Sequence, residues 1–424
     1  MIVVVSALRT TLEDSLAARG ERVLAVVPEA VLAERRISAG GRYMVRAISD
    51  WDDLGQLVRL ADTLGDLPLR AVETIDEPCL RPAALLRGLL QLHGGLTWAQ
   101  SVAATDKAVQ KDLLGRSGVP VTGHRRTTTV AGAADAAARH LGWPVVVKPR
   151  RGFGTLGTHV VRDRTHLDEL LAAGAFAGTA GLPAWMIASG LDRPADEVPG
   201  GLLVEALVRV RAEYHVEILR DHGRELYALP ARYVAPVLGS PLVGSVLLQP
   251  GPEHDATTAL ARAAADALNL TTGFAHVEVL RDEQGVWRVG EIGLRPGGAR
   301  VPHLLRLHHK VDVPELAADL ATGTRPQVRL STATQTTAWV SAVTPSGIVT
   351  AITPAEEIRR LPGVIDAHTD LHPGATAGGP HGSTALATHV FTQGATAEQA
   401  EQAALDAIKA WRVDIAARAE RQPS

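Results

Sequence analysis

A single cysteine, Cys79, excludes an intrachain disulfide and, with it, a cysteine-rich secreted scaffold. Aromatic residues make up only 4% of the 424 residues, so the cores must be built from aliphatic side chains. No apolar run approaches the ~18 uninterrupted residues of a membrane span. The opening segment MIVVVSALRT carries a short apolar run with no basic residues ahead of it. It reads as a first strand rather than a secretory leader. The formal charge is −3, which sets aside a strongly basic nucleic-acid binder. What remains is an ordinary globular composition, 46% hydrophobic and 21% charged, with length for about two to four domains. A cytoplasmic protein with neither nucleic acid nor membrane as partner is the expectation.

Strand-like and helical segments alternate through residues 1–100, which predicts a parallel sheet covered by helices. No glycine fingerprint follows Ile2–Val5, so nothing there argues for a dinucleotide site. Ser49 or Asp50 is expected to cap the helix in SDWDDLGQLVRLADTLG, and Thr105 the helix ending near Gly115. Residues 101–200 change rhythm, with a strand, glycine-rich turn and strand in WPVVVKPRRGFGTLGTHVV. The segment SGLDRPADEVPGG, 189–201, reads as a polar connection or boundary. Residues 201–330 are rich in strands, and 331–424 read as an appended α+β subdomain with a last helix in TAEQAEQAALDAIKAW. No short-period repeat is present.

Two constellations carry chemistry. Lys148 ends an apolar strand and is followed at once by a loop with Gly152, Gly154, Thr155 and Gly157. Glycines let the backbone turn tightly and present amides to phosphate oxygens, and the lysine adds a positive charge. The spacing is neither a P-loop nor a dinucleotide fingerprint; the plain alternative is a glycine-rich hairpin with a surface lysine. In the second constellation, Glu278 and Glu291 stand thirteen positions apart around the turn DEQG. An antiparallel pair of strands would oppose the two carboxylates, and a divalent cation would relieve their repulsion. Glu291, Gly293 and Arg295 are expected on one face, with Arg295 able to hold a phosphate or carboxylate. The alternative is a charged, solvated hairpin face. In VRVRAEYHVEIL, period two also places Arg209, Arg211, Glu213, His215 and Glu217 on one face.

The motifs occur in order: DK at 106–107, VVVKPRRGFGTLG at 145–157, LLVEALVRVRAEYHVEIL at 202–219, then GFAHVEV and EIGLRPGG within 273–298. That order resembles the ATP-grasp superfamily of carboxylate–amine ligases, over about residues 1–330. The tail, with PSGIVTAI, LPGVIDAHTDLHPGA and FTQGATAEQAEQAALDAI, resembles the C-terminal subdomain of its L-amino acid ligase branch. The implied fold is α/β and α+β, multidomain: an N-terminal α/β domain (1–100), a small ATP-grasp lobe with its preceding helix (101–200), a large lobe (201–330) and the C-terminal subdomain (331–424).

The resemblance also implies roles. Lys107 and Lys148 correspond to the nucleotide-phosphate lysines, and residues 152–158 to the closing loop. Glu205 stands at the adenine pocket, Ala206–Val208, with Leu207 at its centre, form the hinge that reads the adenine edge, and Glu213 accepts bonds from ribose hydroxyls. Glu278 and Glu291 hold magnesium, or manganese in its place, and Arg295 lies near the transferred phosphate. His276, Gly298, Arg300 and His303 are candidates for substrate contact. One departure is Gly293, where the family commonly has asparagine; a water in the space beside the glycine is the expected replacement. The implied activity is ATP-dependent amide formation between a small carboxylate and an amine, amino-acid-like, through an acylphosphate. The alternatives are a biotin-carboxylase-like enzyme activating bicarbonate and a noncatalytic nucleotide-binding protein. A homodimer is compatible with either.

Overall fold

A computed structural model describes residues 1–179, 182, 184–187, 192–331, 334–378 and 386–416. Within the connection 189–201, residues 189–191 lie outside the described residues. Strands β1 (Ile2–Val5), β2 (Val23–Pro28), β3 (Met44–Ile48) and β4 (Ala71–Glu73) form a parallel sheet in the order β3-β2-β1-β4. β1 and β2 are valine-rich runs buried along their whole length, as strands covered on both faces require. The chain steps outward from β1 to β3 and then returns to β1's other side with β4. The carboxyl ends of β1 and β4 therefore flank a topological switch point, the crevice where open α/β sheets take ligands. Asp53, not Ser49 or Asp50, caps the helix Leu54–Leu64, accepting the Gln56 N–H at 3.0 Å.

Two helices, Trp98–Thr105 and Lys107–Arg116, lead into the small lobe. Asp106 caps the second, accepting from Ala108 and Val109. Thr105 instead closes the first helix, its hydroxyl bonded back to the Ser101 carbonyl. The small lobe is an antiparallel sheet of β5 (His124–Thr127), β6 (Val145–Pro149), β7 (His159–Val161) and β8 (Leu202–Ala206), in the order β5-β8-β6-β7. Val130, Ala133, Ala137 and Leu167 of its helices pack on Val145, Val147 and Val204.

The next strands are β9 (Val210–Asp221), β10 (Arg224–Tyr233), β11 (Leu242–Leu247), β12 (Gly273–Asp282) and β13 (Trp287–Gly293). After residue 331 come β14 (Thr336–Val343), β15 (Gly347–Ile352), β16 (Val364–Thr369), β17 (Thr376–Ala377), β18 (Leu386–Gly394) and β19 (Val413–Ala416). Eight of these form one antiparallel sheet, β13-β12-β9-β10-β11-β14-β18-β16. It passes through the 330–331 junction because β14 pairs with β11.

Strand alternation gives that sheet two different faces. Tyr214, Val216 and Ile218 turn toward the helix Pro252–Ala267 and join its core with Ala261, Ala264 and Ala265. On the opposite face Leu219, Phe274, Trp339 and Phe391 share a core with β1, β2 and the helices Val301–His309 and Val313–Thr322. His215 and Glu217 lie on that second face and are buried at 0% and 3% exposure, so it is not solvated. Among the described residues no helix is long and apolar enough to cross a membrane.

Candidate functional site

Glu278 on β12 stands directly opposite Glu291 on β13, with a bulge just after Glu278. Lys107, the first residue of its helix, brings its Nζ to 3.2 Å from Glu291 Oε1 and donates to the Gly152 carbonyl. Burial pushes the Glu278 carboxyl up, but His276 and Lys148 outweigh it and hold its pKa below the ordinary value. Glu291 goes the other way: burial and the Glu278 charge raise its pKa in spite of Lys107. Opposed carboxylate oxygens are the donors a hard divalent cation prefers, and a cation would relieve the strain on Glu291. The donor set therefore fits magnesium, which Glu278 and Glu291 would hold.

Strand β13 ends at Gly293, so Arg295 is not on the regular strand face. Its guanidinium folds back beside Gly293, where an added Cβ would meet Arg295 Cζ and Nε at 3.4 Å. Arg295 thus borders the side of Gly293 where a water is expected. Two hydrogen bonds, 3.0 and 2.6 Å, tie the guanidinium to Glu77 just after β4. The switch point of the first sheet thus holds the arginine of the large lobe. Nearby, Asp76 fixes the chain after β1 by accepting the N–H groups of Ala7, Leu8 and Arg9.

Glu205 does not face solvent. It lies buried on β8 between Lys148, at 2.8 Å, and Lys111, at 2.9 Å. Burial alone would raise its pKa; the two lysines bring it down to about 2. The Lys148 cation is opposed by burial and upheld by Glu205 and Glu291. Lys111, which the sequence reading passed over, also donates to Thr122 Oγ1 and the Gly290 carbonyl. Its signal is the KAVQK spacing, which puts Lys107 and Lys111 on one helix face.

The loop after β6 has positive φ at Gly152, Gly154, Thr155 and Gly157. For Thr155, at 64°, that conformation is uncommon. Arg150 anchors the loop's start to the helix-capping Asp106 at 3.0 and 2.6 Å. Arg151 reaches Asp52 of the first domain at 3.0 and 2.8 Å.

A second buried network was missed in the sequence. Glu217 Oε1 accepts from the Nδ1 atoms of His215 and His276, and Oε2 accepts the Gly297 N–H at 2.9 Å. A Cβ at Gly297 would fall 2.7 Å from Glu217, so only glycine allows this approach. His215 Nε2 meets Ser245 Oγ at 2.8 Å, and Trp339 Nε1 donates to the same hydroxyl. The network closes with His215 neutral, its cation disfavoured by burial. Burial also opposes the His276 cation, but Glu217 and Glu278 raise its pKa to about 9. Glu217 joins Gly297, on the loop of Arg295, to His276, whose Nε2 lies 3.9 Å from Glu278. The alternating polar residues were visible; that His215 and Glu217 among them are buried was not.

The other expected residues fall in varied places. Glu213, half-buried, accepts the Val237 N–H at 2.9 Å, and burial raises its pKa to about 7. The Leu207 N–H is donated to the Pro144 carbonyl at 3.1 Å. Gly298 borders Arg9, 3.7 Å from where its Cβ would be. Arg300 reaches Asp370 at 3.3 Å and His389 at 2.6 Å, and His303 reaches Asp366 at 2.8 Å. Those last two side chains connect the segment after Gly298 to β16, β18 and the residue following β16.

Comparison with known proteins agrees with this arrangement. Residues 106–194 match the ATP-binding domain of the carbamoyl-phosphate synthase large chain, and 342–416 match the L-amino acid ligase C-terminal domain 2. An L-arginine-specific L-amino acid ligase of Bacillus subtilis is 25% identical over 288 residues, 66% of each chain. The matched part is thus just under two thirds of that relative. A D-alanine–D-alanine ligase of Gloeobacter violaceus is 29% identical over 282 residues, 62% of this chain and 86% of its own. The crystal structure of an L-amino acid ligase from Bacillus licheniformis superposes with a TM-score of 0.72 at 18% identity, covering 98% of both chains. The architecture is the ATP-grasp fold, multidomain α/β with an appended C-terminal subdomain.

Proposed function

We propose that this chain, an ATP-grasp protein related to the L-amino acid ligase branch of the carboxylate–amine ligases, joins a small carboxylate to an amine at the cost of ATP. The observation that carries the reading is the opposition of Glu278 and Glu291, with Lys107 on one of them and Lys148 beside both. A carboxylate oxygen of the acyl donor attacks the γ-phosphorus of ATP, the bond to ADP breaks, and an acylphosphate forms. The amine nitrogen then attacks the acyl carbon and displaces inorganic phosphate, with its proton passing to solvent. The products are an amide, ADP and phosphate.

Each group has a task in that sequence. Magnesium held by Glu278 and Glu291 would neutralise phosphate charge. Lys107 and Lys148 bind phosphate oxygens and Arg295, fixed by Glu77, meets the transferred phosphoryl group. Glu205 keeps the Lys148 ammonium charged and in place. The 152–158 loop presents its amides to the phosphates and shields the acylphosphate from water. Glu213 accepts from the ribose. His276, Gly298, Arg300 and His303 bound the substrate side, where an amino acid or similar amine would give a dipeptide-like product. The match of the tail to an L-amino acid ligase domain favours this over bicarbonate activation. The test is a phosphate-release screen over pairs of carboxylates and amines, with products identified by mass spectrometry. Phosphate release that requires both partners and yields their amide supports the reading; release dependent on bicarbonate and biotin alone, or silence across the screen with ATP bound, overturns it.

A further inference from the structure

A cavity of about 810 Å³ opens between the free edge of β4 and the large lobe, with neither Glu278 nor Glu291 in its lining. The hairpin tip at 221–224, the turn at 271–273 and the end of the helix Val313–Thr322 complete its wall. Its charge is one-sided. Five arginines, 70, 87, 224, 295 and 325, line it with His93 and His222, against two acids, Glu73 and Asp221.

Several of these cations are already engaged. Arg70 pairs with Glu21, Arg295 with Glu77, and Asp221 is taken by His222. Arg87 is 6% exposed. It donates to the carbonyls of Val72 and Leu96 and lies 3.5 Å from Glu73, while its buried Nε has no hydrogen-bond partner. Gly95 permits this burial, since a Cβ there would stand 2.4 Å from the guanidinium. Arg224 and Arg325 are exposed and have no acidic partner among the described residues. Leu12, Leu80, Ala83, Phe274, Leu294 and Leu320 form an apolar stretch of the wall, which they share with Gln100 and several threonines.

Guanidinium groups at the rim, one more inside and an aliphatic floor select a particular chemistry. The acid end of a ligand would be held by paired N–H donors, and its body would displace water from the apolar wall. The volume suits a small molecule. We infer that this cavity binds an organic anion, a carboxylate or phosphate monoester with an apolar body, with Arg224 and Arg325 on the acid group. Arg224 and Arg325 have no part in the ligase reading, so binding through them can fail without it; Arg295, which has one, borders the cavity but is held by Glu77. Because the ligand would touch the first domain, the large lobe and the helix after it together, binding would lock them against one another and raise the thermal transition.

The test uses the full chain without nucleotide, at fixed ionic strength. Hexanoate, hexyl phosphate and the neutral hexanamide are titrated by calorimetry and by thermal denaturation. We expect one equivalent of hexanoate or hexyl phosphate to bind and raise Tm, with hexanamide inert; the stronger of the two anions identifies the head group. The Arg224→Gln, Arg325→Gln double variant should keep its unliganded Tm and bind that anion about tenfold or more weakly. Anions without effect on the native chain, equal binding of hexanamide, or unchanged affinity in the double variant would each overturn the assignment.

Discussion

Glu205 in the small sheet is buried and the Glu278–Glu291 pair in the large sheet only partly covered; both have lysines beside them, but their charges balance differently. Glu205 has a lysine on each oxygen, at 2.9 and 2.8 Å, and its pKa falls to about 2. Glu278 and Glu291 face each other, with Lys107 closely paired to one of them, and the pKa of Glu291 is raised. In the first cluster two lysines more than compensate the anion; in the second Glu278 is compensated but Glu291 is not. A closed cluster holds a side chain in position, whereas an open one has a use for a cation from outside.

The largest expected effect breaks the open cluster. Glu291→Ala should lower turnover by about 10³-fold or more while leaving Tm within a few degrees, because it removes a cation ligand and relieves a repulsion. Steady-state kinetics across a magnesium titration, with a melting curve, read both. Unchanged magnesium-dependent turnover would erase the distinction between the clusters.

Glu205→Leu tests the closed one. It leaves the buried Lys111 ammonium without its anion and should cost about 3–5 kcal/mol in chemical denaturation. A variant as stable as the native chain would show that Lys111 is satisfied by Thr122 and Gly290 alone. Next in size, Gly293→Asn pushes a side chain into the space that Arg295 occupies. We expect about a tenfold loss of turnover from overpacking, with nucleotide affinity retained. Gain of activity would mean that Arg295 yields and the amide joins the cation's ligands.

Glu213 sharpens the comparison through pH. Burial keeps its proton in the folded chain up to about 7, whereas the unfolded chain loses it near the ordinary 4.5. Its contribution to stability therefore falls as pH rises from 4.5 to 7, since the folded state binds more protons there. If Glu213 accepts from the ribose as proposed, nucleotide affinity should move oppositely, strengthening a few-fold as the carboxylate ionises, and Glu213→Gln should flatten that rise in a fluorescence titration. Smallest is Arg151→Gln, which removes a partly exposed pair with Asp52 worth about 1 kcal/mol or less. Faster hydrogen exchange confined to residues 150–158, with no change in Tm, is the expected outcome.

Much of this was legible along the chain. The opposition of Glu278 and Glu291 followed from strand spacing around a turn, and the hairpin has that register. The glycine-rich loop declared itself, and positive φ at four of its residues gives the reason for the glycines. Helix caps were read one to four positions early, at Ser49, Asp50 and Thr105 instead of Asp53 and Asp106. Neighbouring Ser, Thr and Asp residues all offer an oxygen, and only the backbone path decides which one reaches the N–H groups. Glu217 and His215 were passed over because a polar residue on an alternating strand reads as solvated until something covers it, and Lys111 because a lysine on a helix reads the same way.

The sequence by itself determined the elements and their order: aliphatic runs for the parallel strands, glycines for the turn after β6, and an acid on each arm of one hairpin. Those are local properties, set by side-chain period and backbone freedom over a few residues. Only the tertiary structure decided which charges meet. Glu77 reaches Arg295 across 218 positions, Glu217 reaches Gly297 across 80, and Gln110 closes on the backbone of Ile292 across 182. Such pairings depend on which sheet face the first domain covers and on how closely a glycine lets two backbones approach. No period or propensity along the chain encodes either, because both are fixed by packing between segments far apart in sequence.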